Sequence, residues 1–457
     1  MKGFTHASVW QQILALLADD VSQAKYSFCV AFSGGLDSTV LLHVLSKIQS
    51  SIAPSLFSLK AIHINHQLHP DARRWAKSCE VFCHDLNIPF QQFSVIVKSS
   101  NKKGLEAAAR SARYQAIFQA MNGKDILFTA HHQDDQVETV FLQLMRGTGI
   151  DGASAIRSHI RFGKIRVLRP LLNFTRRQLV QYALANDLKW IEDPSNKQTT
   201  FSRNYLRHDV LPLFEKRWPS YRKSIERFAD HARLASDILN EYVAEDFERC
   251  FGAQKNTLSV DALKRLGREK RLLVIRYWIK QCNISMPSKT VLAQINAALD
   301  AAVDANPVVS WHSVEVRRYR NDLYVLSNET QKEFADFYWD GKNNCLIPGL
   351  GKLNIHAMQG CGIHKKFFRE PVKVMFRQGG EKCNPIGRKG THQLKKLFQE
   401  YAVPPWRRRQ VPLIVIDNQI AAAVGLFYCS PFVVNKNETG LAIDLLSASI
   451  EERICIL

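Results

Sequence analysis

Between Tyr26 and Leu172 the chain alternates short apolar runs with amphipathic ones, and no other feature restricts its fold so tightly. "SLKAIHIN" (58–65), "FQQFSVIV" (90–97), "DILFTA" (125–130) and "RVLRPLL" (166–172) carry the residues of buried strands, as does Tyr26 to Phe32. Between them lie "STVLLHVLSKI" (38–48), "ARRWAKSCEVFCHDL" (72–86), "GLEAAARSARYQAIFQAM" (104–121) and "QVETVFLQLMRG" (136–147), with apolar residues at helical spacing. Strand and helix in alternation predict an α/β domain built on a doubly wound parallel sheet. Ligands of such sheets sit beyond the carboxyl ends of the strands. The Gly-rich turn after the first strand, "HINHQ" and "AHHQDD" all follow predicted strands, so they are expected at one crevice.

That Gly-rich turn reads "SGGLDS" (33–38). A strand passing through it into a helix leaves unpaired N–H groups and a positive dipole end aimed at one point, which suits a phosphate. A Walker A loop would close on Gly-Lys-Ser/Thr. Here Asp37 stands roughly where that lysine belongs. An aspartate repels a triphosphate unless Mg²⁺ lies between them. Ser33, Gly34, Gly35, Leu36, Asp37 and Ser38 are therefore expected to hold ATP, with Asp37 as the Mg²⁺ ligand, and nothing marks γ-phosphoryl transfer.

At 457 residues the chain exceeds one hydrophobic core. Its 62 Lys and Arg against 42 Asp and Glu give a net charge of +20 and point to a polyanionic partner. Half of that excess falls in residues 361–410, with 13 Lys and Arg and 3 acids. Three domains are expected: a catalytic α/β domain over 1–216, a helical domain over 217–330 ending in a hairpin at Arg320-Asn321-Asp322, and a small basic α+β domain over 331–457. In the last, a helix is expected over "THQLKKLFQEYA" (391–402), stopped by Pro404 and Pro405. No run of about 18 apolar residues marks a membrane span. The N-terminal stretch lacks a signal-peptide pattern, and the 10 cysteines include no Cys-x-x-Cys. A cytoplasmic protein with reduced thiols and no membrane partner is expected; an oligomer is allowed but not required.

Ser33-Gly34-Gly35-x-Asp37-Ser38 resembles the pyrophosphate loop of the N-type ATP pyrophosphatases, which split ATP to AMP and pyrophosphate. "IHINH" (62–66), "EAAARSARY" (106–114), "TAHHQDDQVETVFLQLMRGTG" (129–149), "RPLL" (169–172) and "WIEDPSNKQTTFSRNYLRHDVLP" (190–212) resemble the tRNA(Ile)-lysidine synthetases. So does "RQGGEKCNPIGRKGTHQLKKLFQEYAVPPWRRRQVPLIVID" (377–417), while the middle helices match only in character. The resemblance implies ligation of free L-lysine to C2 of the wobble cytidine of a CAU-anticodon tRNA(Ile), through an adenylated cytidine. Decoding would change from Met to Ile.

The same resemblance, weighed with chemical need, supplies expected roles. Asp135 and Glu138 hold the lysine amine. Arg110 or Arg113 neutralises developing phosphate charge. His63 and Asn65, with His66, line the adenine or α-phosphate side. His131 and His132 either contact the nucleotide or cap the strand locally, and His132 is counted with the nucleotide ligands. Asp134 is read as an exposed N-cap of a helix beginning near Gln136. Arg203, Arg377, Arg388, Lys389, Lys395, Lys396, Arg407 and Arg408 are expected on tRNA, and the interleaved Phe398 and Trp406 are expected in the core rather than on bases. The chain departs from the family pattern at Gln67, where a glycine is usual, and at His69, where an arginine is usual. A tRNA thiolase would want cysteines to carry sulfur or an iron–sulfur cluster. A non-catalytic RNA-binding protein would have no need of the loop together with clustered acids.

Overall fold

The computed structural model describes residues 3–18, 25–67, 69–95, 105–163, 165–254, 256–282, 284–302, 305–327 and 334–447. The end of the expected strand at residues 96–97 lies outside them. The chain divides into two compact units, Met1–Tyr242 and Val243–Leu457. The division falls inside a helix, whereas the sequence expectation placed breaks after 216 and 330.

The first unit runs α1 (His6–Leu17), β1 (Tyr26–Ala31), α2 (Leu36–Ser51), β2 (Phe57–Asn65), α3 (Ala72–Asp85), β3 (Phe90–Ser94), α4 (Leu105–Ala120), β4 (Asp125–Phe128) and α5 (Gln133–Met145). It continues through α6 (Ile150–Ala153), β5 (His159–Phe162), β6 (Ile165–Leu168), α7 (Arg176–Ala185), α8 (Ser202–Tyr205), α9 (Leu211–Arg217) and α10 (Tyr221–Arg249). The sheet order is β3-β2-β1-β4-β6-β5. Its first five strands pair in parallel, as expected. The sixth, β5, runs antiparallel to β6 and corrects the all-parallel expectation. Its residues are mostly exposed, so this edge strand carries no buried apolar run to betray it in the sequence.

The sheet has a switch point where β1 lies between β2 and β4, and the chain leaves β1 and β4 on diverging paths. Both "SGGLDS" and "AHHQDD" occupy that point. Beneath it Phe28 stacks on Phe57 at 4.2 Å and meets Phe128 at 4.5 Å between ring centres. The helix after the loop, α2, is buried almost all round. Its one central imidazole, His43, is satisfied by the Tyr182 hydroxyl at 2.8 Å, which also lies 2.7 Å from His6. Burial pushes the His43 pKa down to about 4, so the ring stays neutral.

The second unit begins with β7 (Leu258–Ser259), α11 (Val260–Arg265), α12 (Arg268–Gln281), α13 (Lys289–Ala298), β8 (Val308–Trp311), β9 (Val314–Tyr319) and β10 (Asp322–Ser327). The β9–β10 hairpin turns at Arg320 and Asn321 as the sequence predicted, with Arg320 at φ 54°. There follow β11 (Phe337–Trp339), β12 (Cys345–Ile347), β13 (Gly351–Gln359), β14 (Val372–Phe376), β15 (Lys382–Cys383), β16 (His392–Gln393) and α14 (Leu394–Glu400). The chain closes with β17 (Pro412–Ile416), β18 (Gln419–Ala423), β19 (Phe427–Tyr428) and β20 (Thr439–Ser447), in sheets ordered β11-β14-β17-β18-β19 and β12-β13-β20. Helix α14 is shorter than the expected 391–402: Ala402 adopts a left-handed φ of 55° ahead of the two prolines. Among the described residues no helix is long and apolar enough to cross a membrane.

Candidate active site

The turn after β1 is shaped to leave backbone N–H groups free. The Gly34 carbonyl accepts from Ile191 N–H at 2.8 Å and from Thr39 Oγ1 at 3.3 Å. Ser38 Oγ donates to the Gly35 carbonyl at 3.0 Å and sits 3.0 Å from Ser33 Oγ. With those oxygens drawn inward, the first N–H groups of α2 lack partners within the helix and its dipole points outward. Gly34 has φ +80°, and a Cβ there would lie 2.6 Å from both Cys79 Sγ and Ile191 Cδ1. Gly34→Ala should therefore cost about 1–2 kcal/mol for the left-handed backbone and roughly 1–3 kcal/mol for overpacking. The expected result is a lower Tm and ATP affinity down by tenfold or more, checked by thermal unfolding with and without ATP. An unchanged ATP-dependent shift in Tm would contradict this account of the loop.

Helix α5 brings acids to the opposite lip. Its N-cap is His132, and the backbone N–H of His132 donates to Asp135 Oδ2 at 3.0 Å. The fully buried imidazole lies among three carboxylates: Nε2 is 3.6 Å from Asp37 and 3.5 Å from Asp135, and Nδ1 is 3.7 Å from Asp134. Burial opposes a charge on this ring, but Asp135, Asp37 and Asp134 outweigh it and hold its pKa above the ordinary imidazole value. Its neighbour His131 lies 3.0 Å from Thr129 Oγ1, and burial drives its pKa down to about 3. Asp134 corrects the reading of it as an exposed cap. Only 16% of its side chain is exposed, and it accepts from Arg222 Nε and from the Arg176 N–H, each at 2.7 Å.

Asp135 and Glu138 do converge, as expected, but two guanidinium groups meet them. Glu138, fully buried, accepts from Arg203 Nε at 2.6 Å and from Arg207 at 2.7 and 3.0 Å. Asp135 accepts from Arg203 at 3.0 Å and lies 3.5 Å from Arg207. Burial alone would raise the Asp135 carboxyl; His132 and Arg203 reverse that and hold it at about 2. Both arginines come from the segment 190–212, which crosses the site as a strap. One end is fixed by Ile191 on Gly34 and the other by the two arginines on α5. A π-turn over Leu206–Val210 continues α8 into α9. Arg203, expected on RNA, is thus held by the acid pair. Arg207 and Arg222 escaped the sequence reading, although the four-residue spacing of Arg203 and Arg207 on a helix was a signal for the first.

At the end of β2, His63 turns back to the Phe32 carbonyl at 2.9 Å, and burial lowers its pKa. Asn65 organises its own loop, accepting from the Gln67 N–H at 2.9 Å and donating to the Ala72 carbonyl at 3.4 Å. That bond holds Gln67 at φ 55°, the left-handed backbone that the more usual glycine adopts without strain. His69, standing for the usual arginine, stacks on Trp75 at 4.5 Å. Both candidate arginines are exposed: Arg113 Nε donates to His66 Nε2 at 3.2 Å, and Arg110 lies over the Tyr114 ring at 5.4 Å. Burial and Arg113 hold the His66 pKa at about 4, so its Nδ1 carries the proton, on a buried atom without a hydrogen-bond partner.

In the second unit Lys389, Lys395, Lys396, Arg388 and Arg407 are exposed, with Arg388 on Glu400 and Arg407 donating to Gln254 at 2.7 Å. Arg377 is half-buried, 3.7 Å from Glu381. Arg408 corrects the expectation of an RNA-facing side chain. It is 8% exposed, and its guanidinium turns inward to the Val403 carbonyl at 3.0 Å and to Tyr319. Phe398 is buried in the core, as expected, and Trp406 packs on Tyr324 at 5.2 Å.

A family model described as a PP-loop domain matches residues 6–214, a TilS substrate binding domain matches 258–324, and a TilS substrate C-terminal domain matches 372–445. The tRNA(Ile)-lysidine synthase of Coxiella burnetii is 40% identical over 424 residues, covering 92% of this chain and 93% of that protein. That of Legionella pneumophila (strain Lens) is 38% identical, covering 87% and 90%. The Yersinia pseudotuberculosis (serotype I) protein is 36% identical, covering 90% and 91%. With a pyrophosphate loop and an acid pair facing each other across one switch point, and relatives this similar along nearly their whole length, the chain belongs to the tRNA(Ile)-lysidine synthase family.

Proposed function

We propose that the chain spends ATP to attach free L-lysine to C2 of the wobble cytidine of a CAU-anticodon tRNA(Ile). The observation that carries this reading is the Asp135–Glu138 pair with Arg203 and Arg207, set across the switch point from the pyrophosphate loop. Two acids and two guanidinium groups match the opposite charges of a free amino acid, which can exchange for the internal ion pairs without leaving a buried charge alone.

A ring C2 oxygen is a very poor leaving group. Transfer of AMP to that oxygen, with loss of pyrophosphate, makes it a good one, and the lysine ε-amine then displaces AMP. The N–H groups at the start of α2 bind the departing pyrophosphate. Asp37 fits a Mg²⁺ ligand because its Oδ1 is buried without a hydrogen-bond partner. Among the described residues no three His, Cys, Asp or Glu side chains cluster to cage a metal, and Mg²⁺ commonly takes one or two carboxylates with the rest from phosphates and water. Bound there, the ion supplies countercharge to the phosphates. Of the two candidate arginines, Arg113, on α4, reaches the end of β2 through its hydrogen bond to His66 and is assigned to the developing phosphate charge. The protein works in the cytoplasm, without a membrane partner.

The test is to incubate the protein with ATP, Mg²⁺, labelled lysine and a CAU-anticodon tRNA(Ile) transcript, then identify its nucleosides by mass spectrometry. Lysine on one cytidine, with none on an initiator tRNA, is the expected result. Pyrophosphate release without lysine transfer would mean that the nucleophile is misassigned. The exposed lysines of the second unit contact tRNA phosphates. Lys389→Gln, Lys395→Gln and Lys396→Gln combined should flatten the dependence of log Kd on log salt by about 2–3. An unaltered slope removes them from the interface.

A further inference from the structure

We propose that Phe201 and Tyr205, on the outer face of the strap, form a stacking platform for the unpaired bases that flank the reacting cytidine in the RNA loop. This rests on the proposed function and adds a substrate contact to it. The two residues are one helical turn apart: Phe201 is the extended N-cap of α8, and the Tyr205 N–H donates to its carbonyl at 3.0 Å, which brings the two residues together at the start of that turn. Phe201 is 45% exposed and Tyr205 51%.

Arg203 and Asn204, between them, face the other way. Arg203 reaches down to Asp135 and Glu138, and Asn204 Nδ2 donates to the Ser195 and Gln198 carbonyls at 2.9 Å each. Leu206 is buried, and Arg207 joins the acid pair. Every inward residue of this turn is engaged, which fixes the strap from below and leaves two aromatic faces outside. Arg203 sits between them in sequence while touching Glu138, so the two aromatic residues flank the backbone segment that is anchored on the acid pair.

The occupant is argued from that position and from charge. The side chains of Arg203 and Arg207, though bonded to the acid pair below, remain 27% and 28% exposed and leave positive charge on the strap that suits the phosphates joining stacked bases. Aromatic stacking is sequence-tolerant and works on single strands, which an anticodon loop supplies. A base flanking the cytidine can then be held while the cytidine itself enters the site.

The experiment measures affinity for a CAU anticodon stem-loop RNA and for the same RNA made abasic at the two positions flanking the cytidine. It uses the full-length protein, Phe201→Ala, Tyr205→Ala, their double variant and Tyr205→Trp, with folding checked by thermal unfolding. Each alanine should weaken binding of the intact RNA by about tenfold, and Tyr205→Trp should restore it. The wild-type protein should bind the abasic RNA as weakly as the double variant does. Equal affinity of the wild type for intact and abasic RNA overturns the platform even where an alanine variant folds poorly. Equal affinity of wild type and variants for the intact RNA overturns it too, as does a loss that persists undiminished on the abasic RNA, which would assign the face to a different contact. A wild-type protein that binds no CAU stem-loop overturns the functional reading itself, and the platform with it.

Discussion

Asp37→Asn should lose RNA-dependent pyrophosphate release by a factor of about 10³ or more while the protein stays folded. The side chain is 35% exposed, and its buried Oδ1 has no hydrogen bond to lose. Its charge, however, sits in the first turn of α2, next to the helix N–H groups that lack partners within the helix. Asparagine keeps the shape and removes the charge that a metal requires. His132 loses one of three carboxylate neighbours but retains Asp134 and Asp135. The measurement is pyrophosphate release with and without tRNA, together with Tm in the absence of nucleotide. Near-normal release by a folded variant would sink the assignment of Asp37 as the metal ligand.

Glu138→Gln should separate the two chemical steps. Pyrophosphate release in the presence of tRNA should continue, because the loop and Asp37 are untouched, while lysine incorporation falls by about 10²–10³. That drop corresponds to roughly 3–4 kcal/mol, the scale of removing one partner from a buried charge pair. Glu138→Ala should in addition unfold more readily, by about 3–5 kcal/mol, since Arg203 and Arg207 would lose the carboxylate they share. Labelled lysine transfer, pyrophosphate release and thermal melts of both variants check the pattern. Loss of both steps in equal measure in Glu138→Gln would show that the acid pair serves adenylation rather than the amino acid.

The parts of the fold legible in the sequence were those with strong local periodicity. The strands β1, β2, β4 and β6 and the helices α2, α3, α4 and α5 follow from apolar spacing, because each buries a defined face. The hairpin at Arg320 was legible from its turn residues. Edge strand β5 was not, because an exposed strand needs no apolar run. The strap was visible as a stretch of polar residues, yet its role depends on where Ile191, Arg203 and Arg207 land, and spacing along the chain does not carry that.

The site divides in the same way. "SGGLDS" declared itself because a phosphate loop is local: strand, glycines and helix start are contiguous, and their chemistry follows from backbone geometry alone. The proximity of Asp135 to Glu138 was likewise set by three residues of helix. That His132 lies among Asp37, Asp134 and Asp135, that two arginines close on the acid pair, and that Arg408 turns inward were decided by tertiary structure. Partner choice among charged side chains depends on distances of a few ångströms between segments that lie tens of residues apart. A sequence fixes which charges exist, and the fold decides which of them meet, because only burial makes an unpaired charge too costly to leave alone.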